Sequence, residues 1–235
     1  MTPTPNQTSI QTALRSFLLT ILPPGVDCLE AYDNRVPEPI DTDFVVISPT
    51  IRKRLGTNIT VWGDTVIQGS ISGSALTASS VSGAAIIVPS TLWGVNLPVN
   101  GVQITARNLD GTYAVSGGPF SIPSQQFAAG NVAITQPTAV TMQCDVHSED
   151  LSDASDMAQV IATAMRDDLS VSYFLNLGMR VTPLYAEDPR LVPFINAEQQ
   201  WETRWVVDVV LQANQTISAP MQFFPSASVT IVIAD

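Results

Sequence analysis

Near the start of the chain the apolar positions are Ile10, Ala13, Leu14, Phe17, Leu18 and Ile21. Spacings of three and four put them on one face of a helix, and Pro23-Pro24-Gly25 ends it. The pattern then changes to a period of two. GVDCLEAYD and DFVVISPT are short apolar runs bounded by Pro and Asp, which predicts strands, followed by a loop, IRKRLGTN, and a strand start at NITVW. Further on, Val140, Met142, Cys144 and Val146 alternate on one face of TAVTMQCDVHS. Ser152 is the expected N-cap of a second helix running through Ser170, with Met157, Val160, Ile161, Ala164 and Met165 as its buried stripe. From Trp201 the stretch WETRWVVDVVLQ alternates again. A helix would also bring Trp201 and Trp205 together, but the run of valines from Val206 to Val210 crowds helical rotamers and suits a pleat. ASVTIVIAD predicts a last strand.

Between Val61 and Gln136 the register of polarity is different. Only Asp64, Arg107 and Asp110 are charged there, and Gly, Ser, Thr, Ala and Val dominate. Short β-type runs separated by Gly, Asn, Asp and Pro turns predict a small antiparallel sandwich or barrel with its own core. The expected fold class is therefore α+β: two helices packed on a mixed, mainly antiparallel sheet, as a sandwich, with an inserted all-β domain. Residues 1–60 and 137–235 would make the discontinuous body, and residues 61–136 an insert at the tip of a β-hairpin.

Charge narrows the function. The 235 residues carry a net charge of −11, with ten basic residues of which one is lysine. Repulsion disfavours strong nonspecific binding to DNA or to an anionic membrane. No apolar run approaches the length that spans a bilayer, and the N-terminus lacks a signal-peptide pattern, so the expectation is a soluble chain made in the cytoplasm with no membrane partner. Cys28 and Cys144 have no metal-like spacing and are expected to be buried free thiols.

Candidate chemistry is sparse. His147 is the only histidine, and around it stand Asp145, Glu149, Asp150, Asp153 and Asp156. These lack the ligand spacing of a calcium loop, and one histidine supplies too few nitrogens for zinc, so a strand end running into a helix cap explains them. In GSISG (69–73) the middle residue is Ile71 and not serine, which removes a nucleophile elbow and leaves a turn. Phosphate-binding glycine motifs are absent from the sequence. No catalytic residue, cofactor or metal is expected, and no enzyme activity. The candidate contact residues are Arg52, Lys53 and Arg54, a charged loop suited to an acidic neighbour, with Glu202 and Arg204 as an acid–base pair offered to a neighbouring subunit. A rival reading gives the β insert a glycan site, with Trp62, Trp93 and Tyr113 as stacking platforms.

Five segments in order resemble a known family. They are AYDNRVPEP (31–39), DFVVISPTIRKRLGTN (43–58), TMQCDV (141–146), AMRDDLS (164–170) and LYAEDPRLVPFINAEQQWETRWVVDVVLQAN (184–214), and they are similar to the neck or tail terminator proteins of tailed phages. The resemblance implies a non-enzymatic virion protein at the head–tail junction. Its subunits would form a homohexameric ring that caps the tail tube, meets the head–tail connector and the sheath, and leaves a channel for DNA ejection without specific DNA binding. A tail tube or baseplate component is the structural alternative. The insert, GSISGSALTASSVSG followed by GTYAVSGG, resembles Gly/Ser/Thr-rich β modules of phage structural proteins.

Overall fold

The computed structural model describes residues 2–31, 43–148, 150–195 and 201–220. In chain order, α1 (Gln7–Ile21) precedes β1 (Asp27–Glu30), β2 (Phe44–Arg54), β3 (Ile59–Gly73), β4 (Ala75–Gly83), β5 (Ser90–Gly94), β6 (Val102–Arg107) and β7 (Tyr113–Val115). Then come β8 (Phe120–Ser148), α2 (Leu151–Met165), α3 (Asp168–Asn176), β9 (Val181–Ala186), β10 (Arg190–Leu191), β11 (Phe194–Ile195) and β12 (Trp201–Pro220). Two compact units result: residues 2–58 with 136–216, and residues 59–135 with 217–220.

In the first unit, Asn6 caps α1 by accepting from the Ser9 N–H at 2.8 Å, and the helix stops ahead of Pro23, whose ring disfavours helical backbone at Leu22. β1 pairs in parallel with β2, and β2 runs antiparallel to the far end of β8. β12 pairs with β8 and carries β9, β10 and β11 in antiparallel register. Alternate residues of three strands (Val45 and Ile47; Val140, Met142, Cys144 and Val146; Val207, Val209 and Leu211) meet Leu14 and Phe17 of α1, Met157 and Ile161 of α2, and Phe174 of α3 in one core. Phe17 anchors it, with its ring centroid 5.2 Å from that of Tyr173 and 6.3 Å from that of Phe174. Burying side chains of this size stabilises the fold by about 1.5–3 kcal/mol each.

The second unit is a barrel. Neighbours run β8, β3, β4, β7, β6, β5 and back to β8, so six strands close on themselves. Closure is made by Thr91 opposite Gly130 and Trp93 opposite Ala128, and it removes the open edges that a six-stranded sheet would present. Inside lie Ile67, Ile71, Leu76, Leu92, Val102, Ile104, Val115, Ile122 and Phe127.

The expected two-helix α+β sandwich is therefore overturned: strand outweighs helix, 55% to 20%, a closed six-stranded barrel is present, and the described residues hold three helices. The third helix arises because the stretch read as one helix through Ser170 breaks at Arg166. Asp167 accepts from the Leu169 N–H at 3.0 Å and starts α3, which turns Ser170 into the core. Asp150, and not Ser152, caps α2, accepting from the Ser152 N–H at 2.7 Å. Val160 is exposed, its expected place in the core being taken by Ala154, Ala158 and Ala162. The strand content is high because β8 continues through Pro123, Gly130 and Pro137, and β2 through the first half of the expected loop IRKRLGTN, as far as Arg54. GSISG likewise belongs to β3, the turn falling at Ser74. The expected strand ASVTIVIAD lies outside the described residues, as does most of AYDNRVPEP.

Candidate interaction surface

Arg52, Lys53 and Arg54 are on a strand. They lie opposite Val140, Ala139 and Thr138 of β8, so the pleat sends Arg52 and Arg54 to one face and Lys53 to the other. Val140 belongs to the helix-covered face, which places Arg52 on that side. Its guanidinium donates to the side-chain oxygens of Gln215, at 3.1 Å, and of Gln7. Arg54 donates from Nε to the Gly56 carbonyl at 2.6 Å. Among the described residues, none of the three forms an ion pair. Beside them, Ile51 is 60% exposed and Leu55 46%.

Arg204 lies elsewhere, on β12, with its Nε 3.8 Å from Asp145 Oδ1. Asp145 is nearly buried, and Gln143 donates to both of its carboxylate oxygens at 2.8 and 3.1 Å. A second pair joins Arg190 of β10 to Asp208 of β12 at 2.8 Å. The positive charge of Arg204 thus faces an acid of its own chain. The Glu202 side chain lies outside the described residues, whereas Trp205 packs against the core, as the alternation predicts.

The His147 ring stacks on Phe44 with centroids 4.5 Å apart and planes 6° from parallel. Asp150 is engaged as a helix cap, and its hydrogen bonds from Ser152 hold its carboxyl below the ordinary value. Glu149 lies outside the described residues, among which no cluster of three or more His, Cys, Asp or Glu could hold a metal. Cys28 and Cys144 are free and buried. Of the three rings proposed as stacking platforms, Trp62 is exposed, Trp93 is only 5% exposed and Tyr113 is half-buried with the Arg107 guanidinium 6.0 Å from its centroid.

A second surface, unmarked by any sequence motif, lies on α3. On α3, Asp168, Val171 and Leu175 follow one ridge at helical spacing, with Leu175 73% exposed and Leu169 beside it 55% exposed. Apolar residues on both faces of a nine-residue helix were the available signal. No helix among the described residues is long and apolar enough to cross a membrane.

The model of one protein family, described as phage neck terminator protein, matches residues 98–235. No curated protein matches the chain.

Proposed function

The chain belongs to the phage neck terminator protein family, a structural family of the virion, and from that premise we propose that it forms a closed ring at the head–tail junction. Six copies cap the tail tube, join it to the head–tail connector, meet the sheath where the tail has one, and leave a channel through which DNA passes. The family match over more than half of the chain carries this reading. Two physical features support it. A net charge of −11 keeps a conduit wall from holding the phosphate backbone, since affinity for DNA grows with the number of phosphates neutralised. Exposed apolar and basic residues at the end of β2 suit a protein whose surface meets neighbours.

The mass of the purified chain by native mass spectrometry tests the ring. A discrete closed oligomer, with six copies expected, supports it. A chain that stays monomeric at every concentration overturns it.

A further inference from the structure

We infer that two different surfaces of this chain dock onto each other between copies: the end of β2, with Ile51, Lys53, Arg54 and Leu55, and the outer face of α2 and α3, with Val160, Leu169, Val171 and Leu175. The inference rests on the ring reading above and names the contact that closes it.

Charge selects the occupant. From Asp150 to Gly178 the helical layer holds five aspartates (Asp150, Asp153, Asp156, Asp167 and Asp168) against one base, Arg166. That base is engaged within the chain, donating to Asp188 at 2.6 Å and to the Ala186 carbonyl at 3.0 Å. The layer therefore presents negative charge around its exposed leucines and valines. The end of β2 is its complement, with Lys53 on the face of Ile51 and Leu55, Arg54 next to it on the other face at the strand's end, and no acid anywhere between Asp43 and Asp64 in the sequence. Among the described residues, no ion pair joins these cations to an acid of the same chain. Copies of net charge −11 repel one another, so association needs apolar burial together with a local contact of opposite sign. These two surfaces supply both.

Two complementary patches on one chain suit a ring. One patch is on a strand and the other on helices, and in the ring proposed above the contact is heterologous: each copy gives its β2 end to one neighbour and its helical face to the next. Such a contact builds a ring when its rotation closes. A two-fold dimer would instead need both patches of one copy to meet their complements on the same partner at once.

The test is a charge exchange read by native mass spectrometry and light scattering. Lys53→Glu with Arg54→Glu, and separately Asp156→Lys with Asp168→Lys, should each raise the concentration needed for half-assembly about tenfold or more. Arg52 is left intact because it is bonded within the chain, and Asp150 and Asp167 because they cap helices. Circular dichroism and melting confirm that each variant is folded. The chain carrying all four substitutions should recover assembly, since the charges are exchanged and not lost. Parent rings that tolerate both pairs of substitutions, or a fourfold variant that fails to recover, overturn the docking and leave the ring standing. A parent that never assembles overturns both.

Discussion

The Arg52 guanidinium donates to the side-chain oxygen of Gln215 at 3.1 Å, across 163 residues of sequence. Gln215 in turn donates to the Pro5 carbonyl at 2.8 Å, and Arg52 also reaches Gln7 at the start of α1. One side chain thus ties β2, β12 and the N-terminal segment together. Lys53, its neighbour, points the other way. Replacing Arg52 with Met leaves the nearly buried Gln215 oxygen without its donor and should lower stability by about 1–3 kcal/mol, whereas Lys53→Met should change it by less than about 0.5 kcal/mol. Urea denaturation of the two variants checks the difference, and equal effects would contradict it.

Gly63 faces Asn131 across the β3–β8 pair, and a Cβ added at Gly63 would collide with the Asn131 side-chain oxygen. Asn131 is 3% exposed, so its amide has little room to swing aside. Gly63→Ala should cost about 1–3 kcal/mol by overpacking. Removing the obstructing amide as well, with Asn131→Ala, should recover most of the loss. Thermal melts of the single and double variants check this.

Residues 59–135 carry a core of their own, and we propose that the rest of the chain folds without them. β2 and β3 pair with consecutive lengths of β8, so a short Gly-Ser link from Asn58 to Gln136 reconnects strands that stay antiparallel. The expected outcome is a soluble protein that unfolds cooperatively. Insoluble or molten product would contradict it.

Both thiols resist ionisation in the folded state. Burial pushes Cys28 up to about 11 against the opposing pull of Arg15, and complete burial pushes Cys144 up as well. Because the folded values lie above the unfolded ones, the contribution to stability is complete below about pH 9 and is lost as pH rises through about 11. Denaturation curves from pH 8 to pH 11 should therefore show falling stability. At pH 8, iodoacetamide should label neither cysteine until the chain unfolds.

Some of this fold was legible in the sequence and some was not. The helical stripe from Ile10 to Leu18 and the alternation from Val140 to Val146 are local patterns, and burial follows them residue by residue. Arg52 to Arg54 read as a loop because three long charged side chains suit a solvated turn, yet the ladder offered by Thr138, Ala139 and Val140 extends the strand through them. The break before α3 did have a signal, since consecutive aspartates in a helix interior favour a cap. Barrel closure depends on Thr91 meeting Gly130, and the inward pairing of Arg204 on Asp145 crosses 59 residues. Neither is written in any short window. Of the five candidate contact residues, the structure puts Arg52 and Arg204 to use within the chain, leaves Lys53 facing outward, and engages the Nε of Arg54 through the Gly56 carbonyl, while the side chain of the fifth, Glu202, lies outside the described residues.

Electron microscopy of intact particles with a gold-labelled antibody against this chain tests its place at the neck most directly. The family membership and the proposed ring predict label confined to the junction of head and tail. Label along the tail tube, label at the distal tip, or particles that carry none would contradict it.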